Sequence, residues 1–179
     1  MPRLFVALDP SPAQRDALAT LKTDTFAARW MPPAQYHLTL RFLGDTTPEV
    51  TSTLRDALAD LTAAPGPIEG TGLGTFPSRR SPRVLYARVT PAPALMRLQE
   101  QVDALCERVG CAPSHHAFTP HLTMARLEEA DPSTVYRFVQ DHKKWEYPSH
   151  QATELTLYQS TLHGGGAEHT ALVRIPLRK

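Results

Sequence analysis

Hydrophobic and polar residues alternate most clearly in two similar stretches of the chain. Residues 36–44 read YHLTLRFLG, and residues 120–126 read PHLTMAR. In each stretch a histidine and a threonine stand two residues apart, with apolar residues between and after them. Side chains two residues apart in a β-strand point to the same face. The pattern therefore predicts two strands, each with a His–Thr pair on one face and apolar side chains on the other.

The rest of the chain alternates between strand-like and helix-like patterns. Further strands are predicted over 4–8, around 68–76, and over 84–89, 154–160 and 170–175. Ser11 followed by Pro12 predicts a helix start, and Thr47 or Pro48 predicts a second one. A third helix is predicted over 93–109, and a short fourth helix begins at Pro132. Residues 29–33 are predicted to be a stiff connector, because they combine bulky side chains with two prolines.

This order of elements predicts an α+β fold in which helices cover the outer faces of antiparallel sheets. One motif falls in each half of the chain, which predicts two similar lobes with a cleft between them. The length of 179 residues fits one bilobal domain spanning residues 1–179. We expect this domain to be a monomer.

The composition of the chain argues against some classes of binding partner. The net charge of +1 provides no broad basic field for long nucleic acid, so any nucleic-acid substrate needs a local site. No apolar run approaches the roughly 18 residues of a membrane span, which predicts no membrane partner. The start of the chain has no signal-peptide pattern, and only two cysteines are present. Together these features predict a cytoplasmic protein.

Two histidines, one in each lobe, suit acid–base chemistry at a phosphorus centre. Histidine titrates near neutral pH, so one imidazole can accept a proton while the other donates one. Threonine hydroxyls can donate hydrogen bonds to phosphoryl oxygens. Such a site requires no metal and no cofactor, provided that hydroxyls and a guanidinium stabilise the phosphoryl charge.

Paired H-x-T-x motifs resemble the signature of the two-histidine phosphoesterase superfamily. Segments 3–9, 29–44, 82–84 and 118–126 are similar to its bacterial RNA 2',3'-cyclic phosphodiesterase branch, also described as 2'-5' RNA ligases. The resemblance implies a bilobal, pseudo-two-fold fold with a catalytic cleft between the lobes. It also implies that His37 is the proton donor and His121 the proton acceptor, with Thr39, Thr123 and Arg126 as phosphate ligands.

Strand alternation and the family resemblance point to different arginines as the cationic phosphate ligand. Counting from His121, Arg126 falls on the opposite face, so it reaches the cleft only from a strand end or across a bulge. Counting from His37, Arg41 falls on the same face and is a rival phosphate ligand. The resemblance favours Arg126.

The resemblance leaves three functions open. The first is hydrolysis of a 2',3'-cyclic phosphate, on RNA or on a small cyclic nucleotide, to a 2'-phosphate. The second is the reverse reaction, ligation of RNA through a 2'-5' bond. The third is nucleotide or RNA binding without turnover, which the complete motifs argue against. A zinc site is not expected, because the spacings within one group of residues match no common zinc pattern: Cys106, Cys111, His115 and His116.

Two further sets of residues have both structural and functional interpretations. A basic hairpin loop carries Arg79, Arg80 and Arg83, which either lie in solvent or contact an RNA backbone beyond the reacting phosphate. Three aromatic residues in predicted strands either stack with a base or pack in the core: Phe5, Tyr86 and Tyr158.

Overall fold

The computed structural model describes residues 3–61, 63–164 and 166–177. In this part of the chain the strands are β1 Arg3–Leu8, β2 Ala28–Trp30, β3 Leu38–Asp45, β4 Pro67–Ile68, β5 Leu73–Pro77, β6 Pro82–Arg88, β7 His121–Leu127, β8 His150–Gln151, β9 Glu154–His163 and β10 Gly166–Pro176. The helices are α1 Pro12–Ala19, α2 Pro48–Ala59, α3 Pro93–Arg108 and α4 Pro132–Asp141, and a single 3-10 turn covers Pro33–Gln35.

Two four-stranded antiparallel sheets form the two lobes. Their strand orders are β10-β9-β1-β3 and β2-β7-β6-β5, and β4 pairs with β8 in a small third sheet. Motif strand β3 pairs with β1, and motif strand β7 pairs with β6. Each lobe also takes strands from the other half of the chain, because β9 pairs with β1 while β6 pairs with β7. The predicted α+β class with antiparallel sheets is confirmed.

The helices begin where the sequence predicts, and side chains cap the first turns of α1, α2 and α4. The Ser11 hydroxyl accepts a hydrogen bond from the Gln14 backbone, and the Gln14 side chain accepts one from the Ser11 backbone. Thr47 caps α2 in the same way, through the backbone of Val50. Each of these caps stabilises its helix by about 0.5–2 kcal/mol. Proline follows every cap, where its missing N–H costs no hydrogen bond.

Apolar faces of the sheets and helices form one continuous core. Helix α3 buries the side chains predicted from its spacing, Leu95, Leu98, Val102 and Leu105. The two motif strands contribute Leu38, Leu40, Leu122 and Met124 to the same cluster. Burial on one face therefore leaves the other face of each motif strand for the His–Thr pairs. Within the described residues, none of the helices has the length and apolar character that crossing a membrane requires.

The connector prediction for residues 29–33 is partly wrong. Ala28–Trp30 forms β2, in which Arg29 pairs with Arg126 and Trp30 with Ala125. Three residues are too few to show alternation, so this strand depends on tertiary pairing with β7. The last hairpin is also longer than predicted, because β9 continues to His163 and β10 begins at Gly166. The additional residues are mostly polar or exposed, which hides the strand pattern.

Candidate active site

His37 and His121 occupy corresponding positions in the two lobes. His37 immediately precedes β3, and His121 is the first residue of β7. The Nδ1 atom of His37 lies 2.7 Å from the Gln35 carbonyl oxygen, and Nδ1 of His121 lies 2.7 Å from the Thr119 carbonyl oxygen. A carbonyl oxygen only accepts hydrogen bonds, so each Nδ1 carries the proton. In each ring Nε2 is therefore the nitrogen that remains able to accept or donate a proton.

Aromatic rings support both imidazoles from behind. The Phe5 ring lies 4.8 Å from the His37 ring, and the rings of Phe76 and Tyr86 lie 4.9 and 5.2 Å from that of His121. Phe5 is 1% exposed and Tyr86 is 6% exposed, so neither offers an open face for a base. These rings restrict the rotation of the imidazoles and remove water from one side of each.

Burial holds both histidines neutral in the free protein. It is the main cause that lowers the pKa of His37 to about 4, and positive charge on His169 and His121 lowers it further. Hydrogen bonding to the Gln35 carbonyl and the negative charge of Asp9 act in the opposite direction. The pKa of His121 is also lowered, first by burial and then by the charge of Arg126, against its hydrogen bond to Thr119. Near neutral pH an imidazole of this site is therefore protonated only when a nearby anion raises its pKa.

The lowered pKa of His37 predicts acid sensitivity of the fold. The unfolded chain protonates His37 at about pH 6.5, whereas the folded chain resists protonation until about pH 4. Below pH 6.5 the unfolded state binds more protons, so the free energy of unfolding falls as the pH decreases. Between pH 7 and 4 we expect wild-type protein to lose about 3 kcal/mol more stability than His37→Gln. Urea unfolding at each pH measures this difference, and parallel profiles for the two proteins would contradict the prediction.

A β-bulge occurs at the same place in both motif strands. In β3, Thr39 pairs with Ala7 and Arg41 pairs with the preceding Val6, which leaves Leu40 as the extra residue. In β7, Thr123 pairs with Tyr86 and Ala125 with Leu85, which leaves Met124 as the extra residue. A bulge reverses the alternation of side chains beyond it. Side chains beyond the third residue after each histidine therefore point to the face opposite to the one that simple alternation predicts.

The bulge in β7 brings Arg126 to the His121 face. Ala125 is buried and Arg126 is exposed, the reverse of what simple alternation predicts. The positive charge of Arg126 lowers the pKa of both His121 and His169, so its guanidinium lies near both rings. The bulge is thus the physical reason why Arg126 borders the cleft.

The bulge in β3 turns Arg41 into the core, so the expectation that Arg41 shares the His37 face is wrong. Arg41 is 4% exposed, and its guanidinium donates to the backbone carbonyl of Ala112. It also contacts the Asp103 carboxylate of α3, with an Nη1–Oδ1 distance of 3.3 Å. Arg41 therefore joins β3 to α3 and to the loop that follows α3.

Thr39 and Thr123 keep the positions that alternation predicts, because both precede their bulges. Each is half-buried and lies two residues after its histidine. The structure thus places His37 and Thr39 on one lobe, and His121, Thr123 and Arg126 on the other. Strands β3 and β7 contact each other, so the two lobes present their histidines to a common space, in which the charge of His121 further lowers the pKa of His37.

Two cleft residues were missed by the sequence analysis. The His169 ring on β10 meets the His37 ring edge-on at 5.0 Å and lies 4.9 Å from the Phe5 ring. Its Nδ1 is buried and makes no well-formed hydrogen bond in the described part of the chain. Burial lowers the pKa of the ring, and the Glu168 backbone acts in the opposite direction. Phe42 is 69% exposed and corresponds in β3 to Arg126 in β7. Phe42 lies within the first patterned stretch, where simple alternation assigns it to the apolar face, and His169 belongs to no recognisable motif.

Asp9 anchors the wall behind His37. Its carboxylate accepts hydrogen bonds from the Tyr158 hydroxyl at 2.6 Å and the Thr156 hydroxyl at 2.9 Å. The Tyr158 ring in turn stacks on Phe5 at 5.1 Å. This connected set holds Phe5, and through Phe5 it holds the imidazole of His37.

The residues considered for a zinc site differ in burial. Cys106 is buried in α3, while His115 and His116 are exposed in the loop that follows. Across residues 3–61, 63–164 and 166–177, no group of three or more histidine, cysteine or acidic side chains could hold a metal ion.

Several known proteins are similar to this chain in both sequence and fold. RNA 2',3'-cyclic phosphodiesterase of Aquifex aeolicus is 28% identical over 177 residues, covering 95% of this chain and 94% of its own length. A protein of Thermus thermophilus is 28% identical with a TM-score of 0.80, covering 98% of each chain. E. coli LigT, solved with 3'-AMP, is 25% identical with a TM-score of 0.78, covering 100% of each chain.

The chain also matches a defined protein family, over a range that includes the paired motifs. Residues 8–164 match the 2'-5' RNA ligase superfamily, and this range contains both H-x-T-x motifs and both bulges. The resemblance seen in the sequence is confirmed: the chain belongs to the 2'-5' RNA ligase superfamily.

Proposed function

We propose that this protein hydrolyses the terminal 2',3'-cyclic phosphate of RNA to a 2'-phosphate by acid–base catalysis between His37 and His121. The observation that carries the proposal is the matched pair of imidazoles, each with Nδ1 bonded to a carbonyl and Nε2 left to exchange a proton. The relative from Aquifex aeolicus bears the name of this activity, and the LigT complex holds a nucleotide. Both facts support the predicted substrate class.

Each proton has a defined route in the hydrolytic step. Neutral His121 accepts a proton from water at Nε2, and the water oxygen forms a bond to phosphorus. The bond between phosphorus and the 3'-oxygen breaks on the opposite side. Protonated His37 donates its Nε2 proton to that leaving oxygen, so the product carries a 3'-hydroxyl and a 2'-phosphate. Proton exchange with solvent then restores both imidazoles.

Three other side chains bind the phosphoryl oxygens. The hydroxyls of Thr39 and Thr123 donate to the two non-bridging oxygens, and the guanidinium of Arg126 stabilises their negative charge. The substrate anion also raises the pKa of His37, because an adjacent negative charge favours the imidazolium. Binding thereby supplies the charge that keeps the acid protonated in a site where burial otherwise holds it neutral.

Rates should depend on pH in two distinct ways. In the free protein the pKa values of His37 and His121 both lie below 6.5, so kcat/KM should follow a bell with its maximum below pH 6.5. The bound phosphate raises both pKa values, so the bell for kcat should lie at higher pH. The acidic and basic sides of each bell report pKa values of the coupled pair rather than of one residue, since both histidines flank one phosphorus. Initial rates with a cyclic nucleotide between pH 4 and 9 measure both profiles, and coincident profiles would contradict this account.

The product isomer tests the proposed activity itself. Protein treated with EDTA is incubated with a nucleoside 2',3'-cyclic phosphate, and the products are separated by chromatography against 2'- and 3'-phosphate standards. We expect the 2'-phosphate to accumulate at the same rate with and without chelation. Accumulation of the 3'-phosphate would refute the proposed leaving group, and no turnover of either a mononucleotide or an RNA end would refute the activity.

Ligation is the second candidate because the family is described by that reaction. The same histidines serve both reactions, because in ligation a 5'-hydroxyl attacks the phosphorus in place of water and the same 3'-oxygen leaves. Water at about 55 M favours hydrolysis unless a second RNA end is held as the nucleophile. To distinguish ligation from hydrolysis, an RNA with a free 5'-hydroxyl is added to RNA with a cyclic phosphate end. A longer product with a 2'-5' bond indicates ligation.

A further inference from the structure

An open pocket lies beside the candidate active site, at the free edge of β5. The hairpin between β5 and β6 forms one side, and α4 forms the other. Val135 and Val139 of α4 give it an apolar base, and its polar lining consists of Thr75, Arg79, Tyr86, Arg88 and Tyr136. Nothing in the acid–base mechanism uses this pocket.

Tyr86 connects the pocket to the reacting centre. Its ring lies 5.2 Å from the His121 ring, measured between centroids, and the side chain also lines the pocket. Gly74 makes this placement possible, because a Cβ there would overlap the phenol ring of Tyr86. The ring therefore lies flat across β5 toward its free edge. The Tyr86 side chain therefore lies between the pocket and His121.

The charged groups of the pocket are both cationic. Arg88 donates from Nε to the Leu73 carbonyl at 2.8 Å, which fixes the guanidinium over β5 and leaves its terminal nitrogens available. Arg79 lies over the Tyr136 ring at 5.7 Å. No carboxylate lines the pocket, and among the described residues neither arginine forms an ion pair. Two unneutralised guanidinium groups in one concave site favour an anion.

The aromatic group of the pocket is accessible. Tyr136 is 42% exposed, in contrast to the buried rings of Phe5 and Tyr86. An exposed ring next to a guanidinium provides a face on which a nucleobase stacks, independently of base identity. The pocket thus offers cationic groups that can bind a phosphate and an aromatic ring that can stack with a base. Both lie one side chain away from His121, and together they match the chemistry of one nucleotide.

We propose that this pocket binds the nucleotide on the 5' side of the cyclic end, with its phosphodiester at Arg79 and Arg88 and its base on Tyr136. The proposal rests on the proposed function, because it takes RNA as the substrate. It assigns the basic hairpin a role beyond the reacting phosphate. It also makes a trinucleotide with a cyclic end a better substrate than a mononucleoside 2',3'-cyclic phosphate.

Kinetics with these two substrates test the pocket. In wild-type protein kcat/KM should be higher for the trinucleotide. Arg79→Ala and Tyr136→Ala should each lower kcat/KM for the trinucleotide by about tenfold or more, and leave that for the mononucleotide within about twofold. Arg80→Ala is the matched control, because Arg80 is exposed in the same hairpin but does not line the pocket. Tyr136→Phe keeps the ring and should retain the preference for the longer substrate.

A binding measurement separates failure of the pocket from failure of the activity. The affinity of a labelled trinucleotide with a 2'-phosphate end is measured by fluorescence anisotropy for the same variants, with no turnover required. Weaker binding in Arg79→Ala and Tyr136→Ala, but not in Arg80→Ala, supports the pocket even if hydrolysis is absent. Equal kcat/KM for both substrates in wild type, or unchanged trinucleotide affinity in both variants, would overturn the proposal. Loss of mononucleotide hydrolysis in these variants would also overturn it.

Discussion

Replacing either His37 or His121 with alanine should lower kcat for cyclic phosphate hydrolysis by about 10²–10⁴-fold, the usual contribution of a general acid or base. Substrate affinity should change little, because Thr39, Thr123 and Arg126 remain to bind the phosphate. The double variant should be far less impaired than the product of the two single effects, since the histidines act on one transition state. Steady-state rates at the optimal pH of each protein measure these effects.

The control for this prediction is His115→Ala, which removes an exposed loop histidine outside the cleft. Its kcat and KM should match those of wild-type protein. Circular dichroism and thermal unfolding establish that each variant is folded before its rate is interpreted. Near-normal turnover in His37→Ala or in His121→Ala would remove that histidine from the mechanism.

Replacing Arg126 with alanine should weaken binding of a nucleoside 2'-phosphate by about 10- to 150-fold, which corresponds to the loss of one charge-assisted hydrogen bond. Arg41 provides the contrasting case. Arg41→Met should leave this affinity almost unchanged but lower the free energy of unfolding by about 3 kcal/mol, because Asp103 loses its buried partner.

Calorimetric titration and urea unfolding of the two variants measure these opposite effects. The contrast follows from the bulges, which send Arg126 to the cleft and Arg41 to the core. A larger loss of affinity in the Arg41 variant would mean that strand alternation, rather than the bulged geometry, identifies the phosphate ligand.

The bulges also mark how far the sequence can predict this site. Residues up to the third position after each histidine follow simple alternation, so His37, Thr39, His121 and Thr123 could be placed from the pattern. Beyond Leu40 and Met124 the pattern gives the wrong face, because an extra residue in one strand is set by pairing with its neighbour. Only family resemblance directed Arg126 to the site.

Other parts of the site depend on contacts between distant segments. His169 reaches His37 because β10 and β9 extend the first sheet beyond β1, and its flanking residues carry no motif. Strand β2 exists because it pairs with β7, not because of its own composition. Helix starts, by contrast, are local, since a cap and a following proline act within one turn. They were therefore predictable to within a residue.

The corresponding positions Phe42 and Arg126 show how the two lobes diverged in chemistry while keeping one backbone plan. Both follow the bulge of a motif strand and both are exposed, but one is aromatic and the other is cationic. The cleft is therefore symmetric in its histidines and threonines and asymmetric in charge. This asymmetry is consistent with different tasks for His37 and His121.

The division of acid and base roles is tested most directly by a substrate whose leaving group needs no proton. A 2',3'-cyclic nucleotide with sulfur in place of the bridging 3'-oxygen provides one, because a thiolate leaves without protonation. The ratio of wild-type to variant kcat is measured for the oxygen and sulfur substrates. If His37 is the proton donor, the defect of His37→Ala should shrink to about tenfold or less on the sulfur substrate, whereas that of His121→Ala should persist. Equal defects on both substrates for His37→Ala, or recovery of His121→Ala instead, would contradict the account.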